Sequence, residues 1–138
     1  KPTRKGYAFK GWYTNSNYTK KITSIKKGSK KNYTLYAKWS KVKVKKATGL
    51  RVTNTKGKNL VVKYSKVSGA KGYQITYATN SKFTKGKKVV NTTKRTKTIQ
   101  KLKKGKTYYV RVRAYKKDST GRKVYGKYST VKKIKITK

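Results

Sequence analysis

The stretch that decides the fold is Leu102-Lys103-Lys104-Gly105-Lys106-Thr107-Tyr108-Tyr109-Val110-Arg111-Val112-Arg113-Ala114-Tyr115. A Gly-bearing turn leads into eight residues that alternate strictly in character. Successive side chains of a strand point to opposite faces, so Tyr108, Val110, Val112 and Ala114 share one face. That face is apolar and is expected in a core. Tyr109, Arg111, Arg113 and Tyr115 share the other, which is expected to face solvent as an aromatic and basic stripe.

Similar runs recur upstream and downstream with turn signals between them. Leu50-Arg51-Val52-Thr53 is followed by the turn Asn54-Thr55-Lys56-Gly57. Leu60 to Tyr64 follows, then a turn through Ser68-Gly69-Ala70, then the alternating Gly72 to Ala78. Lys88-Val89-Val90 and Lys97-Thr98-Ile99 are weaker runs, and Val131 to Ile136 is the last. About seven short strands in about 90 residues predict a sandwich of two sheets. Ahead of this region lies a segment broken by Gly6, Gly11 and Gly28. The alternating Lys41-Val42-Lys43-Val44-Lys45-Lys46 joins the two. The organisation read from the sequence is therefore 1–40, a basic linker 41–46, and 47–138.

Composition narrows the function. The 138 residues include 43 Lys and Arg but a single acid, for a net charge of +42, and no His, Cys or Met. General acid–base catalysis draws on His, Asp or Glu near the reacting atom, and Asp118 is the only such residue. Zinc, calcium and magnesium sites need several His, Cys or carboxylate ligands. No catalytic residue, metal site or cofactor is expected, and no disulfide can form. No run approaches the ~18 apolar residues of a membrane-spanning helix. No signal peptide is read, and the chain starts at Lys1 rather than Met, so a mature segment or an excised piece is expected. Low hydrophobicity with high net charge is a signature of disorder. The 13 Tyr, 2 Trp and 2 Phe, set at strand spacing among the lysines, argue instead for a folded β core.

Two resemblances follow from particular residues. Leu102 to Ala114, with its leucine, glycine, tyrosine and alternating strand, resembles the fibronectin type III modules of bacterial surface proteins, and Gly126-Lys127-Tyr128-Ser129 resembles the stretch before their last strand. The resemblance implies that Tyr108 is a tyrosine-corner residue whose hydroxyl bonds backbone near Leu102. Tyr64 stands where that family usually has Trp. Pro2-Thr3-Arg4-Lys5-Gly6-Tyr7-Ala8-Phe9-Lys10-Gly11-Trp12-Tyr13 and Leu35-Tyr36-Ala37-Lys38-Trp39 resemble the internalin-type B repeat, the Listeria–Bacteroides repeat. That resemblance implies a small β-grasp-like module whose leading strand and helix would precede Lys1, with Tyr7, Phe9, Trp12, Leu35 and Trp39 as its core. The fold class expected is all-β: an immunoglobulin-like, fibronectin type III sandwich preceded by a small, truncated β-grasp-like repeat.

Three motifs are weighed against simpler readings. Gly121 to Tyr128 misses the phosphate-binding loop pattern, with Tyr128 in place of the hydroxyl residue that would hold magnesium, and reads as a hairpin loop. Asp118, within Lys116-Lys117-Asp118-Ser119-Thr120-Gly121, reads as an Asx-turn. The lysine pairs, including Lys26-Lys27, Lys30-Lys31, Lys103-Lys104 and Lys116-Lys117, are spread along the whole chain. A sequence reader of DNA concentrates its basic residues on one element and favours Arg over Lys.

The functional expectation is a noncatalytic, cationic cell-surface module of a Gram-positive-type bacterium, acting as spacer or adhesion domain. Its partners are anionic polymers, namely wall polymers, acidic glycans or nucleic acid, or an anionic membrane surface, with no small-molecule substrate. Candidate polyanion contacts are Arg111, Arg113, Lys116, Lys117, Arg122, Lys123 and Lys127, with Tyr109 and Tyr115 as the aromatic stripe. The alternative is a nonspecific nucleic-acid- or membrane-binding polycation, natural or engineered, with cell-penetrating behaviour.

Overall fold

A computed structural model describes residues 1–23 and 34–138. Gly28 and the pairs Lys26-Lys27 and Lys30-Lys31 lie outside the described residues. The described residues are all-β, with no helix among them. They form two compact units: Lys1–Val42 with Lys117–Lys123, and Lys43–Lys116 with Val124–Lys138.

In the first unit β1 (Tyr7–Tyr13) lies between β2 (Lys21–Ile22) and β3 (Tyr36–Lys41), antiparallel to both. The β1–β3 register slips between Phe9 and Gly11. This bulge occurs where Gly11 has φ +126°, a backbone angle that L side chains rarely adopt. The extra residue brings Phe9 and Trp12, three apart in sequence, to the same face, where Phe9 meets both Trp12 and Trp39 edge-on at 5.5 and 5.6 Å. The expected core is thus present in part. Tyr7, Phe9, Leu35 and Trp39 are half-buried, whereas Trp12 is 37% exposed. Three short strands give too little opposing surface to close over a large ring.

The second unit carries the sandwich. One sheet holds β4 (Arg51–Thr55), β5 (Asn59–Lys63) and β8 (Thr96–Ile99) in the order β4-β5-β8. The other is built on β6 (Gly72–Ala78), β7 (Lys88–Thr92), β9 (Thr107–Lys117), β10 (Lys123–Tyr125) and β11 (Lys132–Lys135). Its order is β10-β9-β6-β7, with β11 also paired to β9. The alternation of β9 places Tyr108, Val110, Val112 and Ala114 in the core with Leu60, Val62, Ile75 and Ile136. Each large aliphatic side chain removed from water contributes about 1.5–3 kcal/mol.

Tyr108 makes the corner that the resemblance implies. Its hydroxyl accepts the Lys103 N–H at 2.9 Å. Tyr64, in the position of the usual Trp, packs at 4.7 Å from Tyr73, and its hydroxyl donates to the Lys94 carbonyl. Burial, and secondarily Tyr73, raise its pKa well above the ordinary phenol range.

One local sequence is used twice. Thr14-Asn15-Ser16-Asn17-Tyr18-Thr19-Lys20 and Thr79-Asn80-Ser81-Lys82-Phe83-Thr84-Lys85 share the pattern T-N-S-x-aromatic-T-K. Both fold alike. The Asn Oδ1 accepts the two backbone N–H groups four and five residues on, from Thr19 and Lys20 or from Thr84 and Lys85. The aromatic residue takes a left-handed conformation, φ 56° at Tyr18 and 55° at Phe83. The side-chain amide replaces the backbone partners that the turn removes.

Tyr108→Phe removes the corner hydroxyl and leaves the Lys103 N–H without its partner. Urea unfolding followed by circular dichroism is expected to show a loss of about 1–2 kcal/mol, and an unchanged midpoint would show that the corner contributes nothing.

Candidate functional site

The outward face of β9 was expected to be a solvated stripe. It is instead covered. Between β10 and β11 the chain continues along β9, with the Gly126 N–H on the Ala114 carbonyl at 2.9 Å and the Ser129 N–H on the Val112 carbonyl at 2.7 Å. The Ser129 hydroxyl in turn accepts the Val112 N–H at 3.0 Å. This path lays Tyr125 and Tyr128 over the arginines.

The result is a stack of alternating rings and guanidinium groups. Arg111 lies 4.2 Å from the Phe83 ring centre and 3.9 Å from that of Tyr128. Arg113 lies 4.6 Å from Tyr128 and 3.7 Å from Tyr125. Gln74 fixes the second arginine, its Oε1 accepting Arg113 Nε–H at 2.8 Å while its Nε2 reaches the Tyr125 hydroxyl at 3.4 Å. Cation–π contacts of this kind are worth about 0.5–2 kcal/mol, rising with desolvation. Both arginines are half-buried, with their faces occupied by rings. Their planar faces are therefore not available to a ligand.

Tyr115 corrects the sequence reading most clearly. It shares the stripe face by alternation, yet it is only 7% exposed. Its ring meets Tyr125 edge-on at 6.0 Å and lies over Gly72, the residue opposite it on β6. A Cβ at Gly72 would fall 2.5 Å from the Tyr115 hydroxyl, so glycine provides the space the ring fills. Tyr109 is half-buried. Of the remaining candidates in this unit, Lys116 is half-buried, with its stem beside Gly69, and Lys127 is exposed. Phe83, Tyr125, Tyr128 and Gln74 belong to the stack, and the sequence reading ties none of them to the stripe. Their spacing on three separate segments carries no local signal.

Lys117, Arg122 and Lys123 belong to the first unit and are exposed. They flank Asp118, which is 7% exposed and which, as its sequence predicts, closes an Asx-turn. Its Oδ1 accepts the N–H of Thr120 at 2.8 Å and of Arg122 at 3.1 Å, and also the Thr120 hydroxyl. Its Oδ2 accepts the Gly6 N–H at 2.7 Å, across 112 residues of sequence. Ser119 extends the pairing, its N–H on the Tyr7 carbonyl at 2.8 Å and its hydroxyl on the Arg4 carbonyl at 2.9 Å. Four donors thus surround the only acidic side chain. The Gly6 N–H and then the Thr120 hydroxyl do most to lower its pKa, from 3.8 to about 2.

The described residues contain no cluster of three His, Cys, Asp or Glu that could hold a metal. No described helix is long and apolar enough to cross a membrane. The glycine-bearing segment Gly121 to Tyr128 forms part of the β9–β10 hairpin, with Gly121 N–H on the Asp118 carbonyl at 3.0 Å.

A carboxylate whose pKa is depressed by folding stabilises the fold above its unfolded value, and that contribution is lost as pH falls through the folded value. For Asp118 the window runs from 3.8 down to about 2. Trp12 and Trp39, the chain's two tryptophans, both lie in the first unit, so their fluorescence reports on it. At constant ionic strength, the urea midpoint of that signal is expected to fall between these pH values in the native chain. In Asp118→Asn it should be lower at neutral pH and flat across the window. The same acid transition in both proteins would rule out this role for Asp118.

Comparison with known proteins agrees with this architecture. The family model described as fibronectin type III domain matches residues 45–127, and the one described as Listeria-Bacteroides repeat domain matches residues 1–38. Among solved structures, a Fn3-like protein from Clostridium thermocellum superposes with a TM-score of 0.53 at 23% identity, covering 67% of this chain and 92% of that one. The FN1–FN3 domains of chicken CNTN1 give 0.59 at 19% identity, covering 76% of this chain and 35% of theirs. The FN5 domain of Drosophila Lar gives 0.55 at 15% identity, covering 69% and 98%. A search of the curated proteins gave no match. At these identities the likeness speaks for the fold. Domains of this type are generally noncatalytic, and both modules are typical of bacterial surface proteins. The chain belongs to the fibronectin type III family through residues 45–127, with a Listeria-Bacteroides repeat over residues 1–38 ahead of that domain.

Proposed function

We propose that this chain is a noncatalytic spacer or adhesion module held at the surface of a Gram-positive-type bacterium by electrostatic attachment to anionic polymers. The observation that carries the reading is the state of its one acid. Asp118 is engaged by Gly6, Thr120 and Arg122 and can offset only one of the 43 cationic side chains. Counter-charge for the others must come from outside the chain. A polymer that supplies it displaces condensed counterions, and their release drives binding. Wall polymers and host acidic glycans fit a surface module. The seven candidate basic contacts divide between the two units, Arg111, Arg113, Lys116 and Lys127 in one and Lys117, Arg122 and Lys123 in the other. The lysine pairs run along the whole chain, which favours charge density over a single focused patch. It equally supports the second reading, a polycation that takes nucleic acid or anionic membrane without preference.

Binding of teichoic acid, heparin and duplex DNA across a salt series separates them. Surface attachment predicts a falling log K against log salt for all three, with tighter binding of a wall polymer or glycan at equal charge. For six or more neutralised charges the loss is about 10³-fold or greater between 50 and 200 mM salt. Ranking by charge density alone, with DNA equal to the others, would select the polycation. Binding that ignores salt would contradict both.

A further inference from the structure

The second unit contains a cavity of about 580 Å³ that none of the candidate contacts lines. Small-ligand sites fall in the range of about 300–1,000 Å³. Tyr77 and Tyr108, 8% and 6% exposed, line its buried part, and the exposed Lys88, Lys101, Lys103 and Lys106 surround them.

The fold holds these residues there for identifiable reasons. Tyr77 and Lys88 are register partners on β6 and β7, so their side chains leave the sheet on the same side. The lysines of the 101–106 turn are placed by the tyrosine corner. Tyr108 holds the Lys103 N–H, buried Leu102 donates its N–H to the Lys58 carbonyl at 3.1 Å, and the Lys106 carbonyl accepts from Ile136 at 2.9 Å. Lys101 takes a left-handed φ of 58° beside them.

The Tyr77 hydroxyl is the unspent group. Its ring is packed in the core, while its oxygen bonds no described residue and is not among the polar atoms buried without a partner, so it opens to solvent at the cavity. Burial, and then the neighbouring Tyr108, raise its pKa, which keeps it a neutral donor. Gln100 adds an amide to the lining.

We propose that this cavity binds one acidic unit of a saccharide, a sugar ring carrying carboxylate or sulfate. The Tyr77 hydroxyl donates to the anionic or ring oxygens, and the four lysines neutralise the charge. Three features favour a saccharide over a nucleic acid. The volume suits one or two sugar rings and excludes a duplex. The two tyrosine rings pack on one another with centres 6.3 Å apart, within the core, so they offer no open stacking platform for bases. Hydroxyl and amide donors beside point-charge ammonium groups match ring oxygens and a single anion, and no planar Arg fork lines the site. The proposal rests on the reading of the chain as a binder of anionic polymers, and it can fail while that reading stands.

The test is calorimetric titration of the full chain at moderate salt with a heparin-derived tetrasaccharide, a tetragalacturonate and a thymidine oligonucleotide of matched charge. Three variants are compared: Tyr77→Phe, Lys103→Gln with Lys106→Gln, and a control, Lys66→Gln with Lys71→Gln. The two double variants lose the same charge at exposed positions, so both are expected to fold. Loss of about tenfold in saccharide affinity is expected for Tyr77→Phe and for the cavity pair, against less than about twofold for the control pair. Response to heparin alone places sulfate in the site, and response to both oligosaccharides places carboxylate there as well. Equal losses in the two pairs, with Tyr77→Phe unchanged, would overturn the cavity and leave general polyanion binding intact. A cavity-dependent loss seen only for the oligonucleotide would overturn the saccharide assignment. No binding of any probe when the titrations are repeated at low salt would overturn the wider reading with it.

Discussion

The constraint on which the rest of the structure depends is uncompensated positive charge. With 43 basic side chains and one acid, the fold cannot use ion-pair networks to fix its surface. Like charges at this density destabilise the compact state. Cohesion therefore has to come from apolar burial and from neutral or singly charged hydrogen bonds. The sandwich core supplies the first, through residues such as Leu60, Val62, Ile75, Val110 and Val112, which are fully buried. Asn15, Asn80, Ser129 and Tyr108 supply the second, each holding backbone groups that the sheets leave unpaired.

Aromatic rings take over the part that acids play elsewhere. Arg111 and Arg113 are held between Phe83, Tyr128 and Tyr125, and in the first unit Arg4 lies 4.1 Å over Tyr7. A ring face attracts a cation without neutralising it. The surface is thereby ordered while its charge stays uncompensated within the chain. This separates what holds the arginines in place from what they attract. The exposed lysines carry compact charge on flexible stems.

Much of this was legible in one strand. The alternation of Tyr108 to Tyr115 gives the core face, and the family resemblance carried by Leu102, Gly105 and Tyr108 implies the corner that the structure shows. The stripe face was misread at Tyr115, because burial there depends on Gly72 and Tyr125, which alternation within β9 does not encode. The hidden signals were of two kinds. Some were long-range, such as the Gly6 to Asp118 bond, which no local pattern announces. Others are local and lie in the sequence itself. The repeated T-N-S-x-aromatic-T-K loop is visible on comparing the sequence with itself, and the Gly11 bulge explains how Phe9 and Trp12 meet despite their odd spacing.

The central claim, that unneutralised charge sets the stability of this fold, is tested most directly by unfolding it in urea at neutral pH across sodium chloride concentrations. Going from about 10 mM to about 1 M shrinks the screening length from about 30 Å to about 3 Å. The account predicts that the midpoint rises steadily over this range, in tryptophan fluorescence for the first unit and in circular dichroism for the whole chain. A midpoint that stays level or falls as salt is added would contradict it.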